Sequence, residues 1–153
     1  MLLLSFHISN ERYVIETSNI VEIIPVVFLK KVPGAEAMVS GMLNYHGDAI
    51  PIIDINILCN GVPVRRSLTS RIILIKYKDD KILGLLAESV TETLDIENDE
   101  FKDVGFKVSD YKFLGGIAEH NDSLLQLINV DQLLSENLED TLFPVQLNNE
   151  SMQ

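Results

Sequence analysis

Three kinds of side chain in this sequence could do chemistry: three histidines, one cysteine and a large supply of carboxylates. His7, His46 and His120 stand far apart and match no metal-ligand spacing such as H-x-x-x-H, and a single thiol, Cys59, supplies neither a CxxC pair nor an internal disulfide. A Cys59 nucleophile with His46 or His120 as its base is a chemistry the sequence leaves open. Cys59 lies in the apolar stretch Ile57-Leu58-Cys59, however, where a buried and inert thiol is the expectation. Asp54 follows an apolar strand and precedes Ile55 to Cys59, so a side-chain oxygen there should accept from the free N–H groups of the next turn. Asn129 holds the matching place later in the chain and offers the same oxygen without the charge, so the position calls for a cap and not an acid. Glu22 fits a capping box opened by Asn19, and Ser89 with Glu92 repeats that device. Glu22 also fits an exposed acid at a partner surface, and both hold if only one carboxylate oxygen caps. Gly115-Gly116 lacks the flanking pattern of a phosphate loop. No catalytic centre, metal site or cofactor is expected.

The elements that must position these residues are short and apolar, with turn signals between them. Leu2 to Ile8 and Arg12 to Ile15 read as paired strands about Ser9-Asn10-Glu11. Ile23 to Leu29 is β-branched but carries Pro25, which points to an edge or a bend. Pro33-Gly34 reads as a turn, and Ala35 to Val39 as a brief helix ended by Gly41. Leu43 to Tyr45 and Ile50 to Ile53 flank His46-Gly47-Asp48, which is hairpin chemistry. Ser70 to Tyr77 and Ile82 to Ala87 form another hairpin. Residues 95 to 111 read as acidic loop, Leu124 to Ile128 as a last strand, and Asp131 to Leu142 as an amphipathic helix.

Composition bounds the function classes. The chain has 153 residues, 46% of them hydrophobic, which is enough for one packed domain. Twenty-three acids against twelve lysines and arginines give a formal charge of −11, which disfavours nucleic acid and anionic lipid surfaces. No apolar run approaches the roughly 18 residues of a membrane span, and the opening Met1-Leu2-Leu3-Leu4 has no basic flank, so a cytoplasmic domain without a signal peptide is expected.

A repeat gives the sequence its shape. The fifteen residues from Gly41 to Ile55 align without a gap to those from Gly116 to Val130, at an offset of 75. Upstream, Asn19 to Glu22 matches Ser89 to Glu92 and Phe6 to Ile8 is echoed by Ile73 to Ile75, in the same order at offsets of 70 and 67. Such drift by loop insertion fits a duplicated half-domain of about 70 residues, too small to bury enough surface alone. The expectation is therefore one domain over residues 1–145, built of halves of about 1–68 and 69–145, with or without exchange of strands between lobes. A flexible polar tail should cover residues 146–153.

The run Gly41-Met-Leu-Asn44-Tyr-His46-Gly47-Asp-Ala-Ile-Pro51-Ile-Ile-Asp54-Ile resembles the signature of CheW-like coupling domains: glycine, an apolar pair, Asn, an apolar residue, Arg, Gly, and later Pro-apolar-apolar-Asp. Ile20-Val-Glu22-Ile-Ile, Leu29 to Pro33, Gly84 to Val90 and Leu125 to Leu134 resemble further family segments in the family's order, so the likeness runs from about residue 2 to 135. The resemblance implies a mainly β fold of two fused five-stranded Src-homology-3-like barrels over a common core, with short helices and a C-terminal helix. It implies a non-enzymatic adaptor without cofactors. Such an adaptor links the cytoplasmic tip of a methyl-accepting chemoreceptor to the regulatory domain of a CheA-type histidine kinase. Matched by position, Ile20, Glu22, Gly41 and His46 are the receptor-facing candidates. Asn44 and Gly47 would shape the hairpin, and Pro51 and Asp54 the strand and its exit. Gly84, Gly116 and Asn129 occupy the remaining motif positions.

One departure stands out. The family usually has arginine where this chain has His46, and histidine is shorter and loses its charge near neutral pH. A contact made there is weaker, pH-sensitive or directed elsewhere, which keeps alive an adaptor for a divergent receptor–kinase pathway of motility or development. A small-barrel ligand-binding module and a cysteine hydrolase are the more distant alternatives. The charge of −11 calls for a partner with a basic face.

Overall fold

The computed structural model describes residues 1–103 and 111–144. Ten strands dominate: β1 (Leu2–Ile8), β2 (Glu11–Glu16), β3 (Ile20–Pro25), β4 (Val39–Tyr45), β5 (Asp48–Asp54), β6 (Arg71–Tyr77), β7 (Lys81–Ala87), β8 (Ser89–Asp95), β9 (Leu114–His120) and β10 (Ser123–Ile128). Two short helices, α1 (Ile55–Asn60) and α2 (Glu136–Leu142), follow β5 and β10. The strands form two five-stranded sheets, in the orders β8-β1-β2-β10-β9 and β3-β6-β7-β5-β4. Adding or subtracting five from every strand number converts one order into the other. Each sheet takes two strands from one half of the chain and three from the other, so the lobes exchange strands.

Closure is achieved twice by the same device. The chain leaving β3 bends back so that Lys30 exchanges backbone hydrogen bonds with Met42 of β4, at 2.9 and 2.8 Å. Beyond β8, Lys102 does the same with Ile117 of β9, at 2.8 and 2.9 Å. Both crossings run over a glycine. A Cβ on Gly41 would lie 2.7 Å from the Lys30 carbonyl oxygen, and one on Gly116 would lie 3.0 Å from that of Lys102. A side chain at either position would push the closing segment off the sheet.

The long apolar runs of β1 and β6 follow from burial on both faces. Successive side chains of a strand point to opposite sides. On β6, Ile72 and Leu74 fill the interior of their own sheet with Leu43, Ile50 and Ile52. Ile73, Ile75 and Tyr77 face a larger cluster shared between the sheets. On β1, Leu3 joins Val14, Leu94 and Leu125 inside the other sheet, while Leu4, Phe6 and Ile8 enter the shared cluster. Gly84 keeps β7 close to Ile52, whose Cδ1 would lie 2.1 Å from an added Cβ.

Several expected elements take a different form. Ala35 to Val39 forms no helix: isolated turns close from Val32 to Ala35 and from Glu36 to Val39, and Val39 is already paired with Ile53. Asn19 and Glu22 form no capping box. Asn19 ends a 3-10 turn (Thr17–Asn19), and Glu22 sits within β3, where pairing with β6 overrides the local signal. Ser89 and Glu92 likewise lie on β8. The expected helix over Asp131 to Leu142 is broken into a 3-10 turn (Val130–Gln132) and α2. Leu133 and Leu134 are buried between them, and the Ser135 hydroxyl caps α2 by accepting from the Leu138 N–H at 3.2 Å. The expected tail, residues 146–153, lies outside the described residues.

Candidate partner-binding surface

β3 is an edge strand whose apolar residues do not all find a core. Val21 and Ile23 are 39% and 41% exposed on either side of Glu22, while Ile20 packs against the shared cluster. The register shifts between Ile20 and Glu22, as a β-bulge does, which re-aims the strand at this point. Glu22 pairs with Leu74 and Ile23 with Ile73, so the carboxylate and the Ile23 side chain leave opposite faces of this edge strand.

The β4–β5 hairpin reaches the same place. His46 and Gly47 both have left-handed backbone, with φ of 53° and 91°, the geometry a two-residue type I′ turn requires. The Asn44 side-chain oxygen accepts from the Gly47 N–H at 3.0 Å and holds the turn. The Tyr45 hydroxyl donates to the Glu22 carboxylate, joining the hairpin to β3 across the closure of the sheet. That carboxylate, as acceptor, pushes the Tyr45 hydroxyl above its ordinary pKa. The His46 ring lies edge-on to Tyr45 with centroids 4.4 Å apart. Glu22, Tyr45 and His46 therefore make one patch, with the imidazole presented at an exposed tip.

The other motif residues sit beneath or beside this patch. Gly41 is buried, and its contribution is the backbone path under Lys30. Pro51 is buried in β5, opposite Met42. Asp54 caps α1, its Oδ1 accepting from the N–H groups of Asn56 at 2.9 Å and Ile57 at 3.2 Å. Its Oδ2 accepts from the Val64 N–H at 3.0 Å, so the second oxygen of a carboxylate is needed here and the position is not indifferent to an amide. Asn129 makes no side-chain cap. What the two positions share is their own N–H: Asp54 donates to Met38 O and Asn129 to Phe113 O, both at 2.7 Å. Tyr45 is the member of the patch that sequence reasoning missed. The motif asks only for an apolar residue there, and tyrosine meets it while adding a hydroxyl donor.

Cys59 is half-buried on α1 against the shared cluster. Burial pushes its thiol up to about 12, away from the thiolate a nucleophile needs. No three metal-ligating side chains converge among the described residues, and no described helix is long and apolar enough to cross a membrane.

Two fused small barrels that expose an apolar edge strand and a braced hairpin tip define a protein-interaction domain. More particularly, the chain belongs to the CheW-like domain family, whose model matches residues 2–138. It is 26% identical over 134 residues to the chemotaxis protein CheW of Helicobacter pylori, covering 87% of this chain and 81% of that protein. To the chemotaxis protein CheW of Bacillus subtilis it is 22% identical over 143 residues, covering 92% and 91%. The crystal structure of the scaffolding protein TtCheW from Thermoanaerobacter tengcongensis superposes with a TM-score of 0.79 at 24% identity, covering 89% of this chain and 88% of that one. The fold is accordingly the paired Src-homology-3-like barrel. The chain is a coupling scaffold of the chemotaxis type.

Proposed function

We propose that this protein is a non-enzymatic, cytoplasmic adaptor that joins chemoreceptor tips to the regulatory domain of a CheA-type histidine kinase. The observation that carries the reading is the patch of Glu22, Tyr45 and His46 on an edge strand that also exposes Val21 and Ile23. An edge strand that exposes apolar side chains and a fixed charge offers what a helix or a second small barrel recognises: the apolar area supplies affinity and the acid supplies register. The family membership supports the same partners.

Titration calorimetry against a receptor-tip helical hairpin and against a kinase regulatory domain tests the reading. Saturable binding to at least one is expected, with loss on Ile23→Asp. His46→Arg restores the family's permanent charge and planar fork and should tighten the receptor contact. An unchanged affinity for His46→Arg would remove the hairpin tip from that interface, and no binding to either partner would overturn the proposal. His46 also favours a second reading, an adaptor in a divergent receptor–kinase pathway. Preference for a non-chemotactic receptor over a chemoreceptor tip would select it.

A further inference from the structure

The opposite electrostatic character appears at one end of the second sheet. In a chain of charge −11, residues 23–35 and 55–75 contain no Asp or Glu and hold five of the twelve lysines and arginines. Pro25 at the end of β3 pairs with Arg71 at the start of β6, so the chain leaving β3 and the loop entering β6 share this end. Val26 and Val64, one from each, pack against the same interior cluster. The same two segments carry the two most exposed large apolar side chains among the described residues, Phe28 at 92% and Leu68 at 95%. Arg66, Lys30 and Lys31 are exposed and make no ion pair among the described residues. Arg65, 84% exposed, reaches only Glu88, at 3.7 Å.

The loop is braced. Asp54 Oδ2 holds the Val64 N–H, Ser70 Oγ accepts from the Ser67 N–H at 2.9 Å, and Arg71 donates to the Leu68 carbonyl at 2.7 Å. A leucine held outward on a pinned turn loses little entropy on binding, which is how a preorganised anchor gains affinity. We infer that this basic, leucine-tipped end is a second docking surface, and that its occupant is an acidic protein segment carrying apolar side chains among its carboxylates. Charge complementarity selects the acid, and Leu68 and Phe28 select the apolar residues. An anionic membrane is disfavoured because the rest of the molecule would be repelled from it. The inference does not rest on the receptor and kinase reading, since Leu68 and Arg66 lie on a different loop from Glu22 and His46.

The test uses a glutamate-rich peptide with leucines at helical spacing, its leucine-to-serine version, and phosphatidylglycerol vesicles, each titrated into the isotope-labelled full chain. Saturable amide shifts confined to residues 61–71 and 26–32 are expected with the leucine peptide. Affinity should fall about tenfold in Leu68→Ser, the loss of one anchor, and also in Arg66→Glu. Both sites are exposed, and unchanged melting curves would show that the variants fold. Absent shifts, shifts centred on Glu22 and Tyr45, equal binding of the serine peptide, or recruitment to vesicles in preference to the peptide would each overturn the inference.

Discussion

Replacing Asp54 by Asn separates a cap from a carboxylate. The Asp54 side chain is 4% exposed and accepts three backbone N–H groups, two through Oδ1 and one through Oδ2. An amide can keep the first two bonds with its oxygen, but its NH₂ group then faces the Val64 N–H, donor against donor. Losing a charge-assisted hydrogen bond and leaving a part-buried donor without a partner costs about 2–3 kcal/mol. Alanine removes the cap as well, worth about 1 kcal/mol more. Spread over a domain of this size, the asparagine variant should melt roughly 5–10 °C below the parent. Urea denaturation with amide exchange at residues 61–71 is the assay, because the lost bond also loosens the loop that presents Leu68. Asn129→Ala is the internal control: with no cap to lose, it should stay within about 0.5 kcal/mol of the parent. An Asp54→Asn variant equally close to the parent would refute the two-oxygen argument.

Three further outcomes follow from the geometry. Gly41→Ala combines a φ of 149° with a Cβ 2.7 Å from a backbone oxygen, so a loss of about 2 kcal/mol or more is expected, read as a drop in the urea midpoint. The Glu139 carboxylate accepts from Lys78 Nζ at 2.8 Å and Tyr77 Oη at 2.9 Å, and the lysine chiefly holds its pKa below the ordinary value. A carboxylate so depressed stabilises the fold above the ordinary carboxylate pKa of about 4.3 and loses that contribution as pH falls through its own value. Acid should therefore weaken the docking of α2, and Glu139→Gln should flatten that part of the pH–stability curve. Iodoacetamide at mildly alkaline pH should leave native Cys59 almost unmodified and alkylate it on unfolding, and rapid native modification would contradict the raised thiol pKa.

The β4–β5 hairpin was legible because its turn chemistry is local: His46-Gly47 dictates the backbone and Asn44 the brace. The offset between Gly41 and Gly116 was legible for a related reason, since both glycines mark a repeated apolar pattern. The helices were less so. Ala35 to Val39 has the composition of a short helix, yet Val39 is taken by Ile53, and the Asp131 to Leu142 pattern is divided because Leu133 and Leu134 turn into the shared core.

By itself, then, the sequence determined most of the hairpins, the turns and the repeat, because these depend on side-chain period and on backbone freedom at single residues. But it set the third strand at Ile23 to Leu29, where pairing with β6 makes it Ile20–Pro25, and it read no strand over Ser89–Asp95. It also determined the cap at Asp54. Tertiary structure alone decided which strands became neighbours, and so that the lobes exchange strands, that Glu22 meets Tyr45 instead of Asn19, and that Oδ2 of Asp54 is spoken for by Val64. Each of these joins residues ten or more apart in the chain, and a local pattern carries no information about which distant edge will arrive to complete a hydrogen bond. The same reason applies to Phe28 and Leu68. Their apolar character is plain in the sequence, and only the packed fold leaves them without a core to enter.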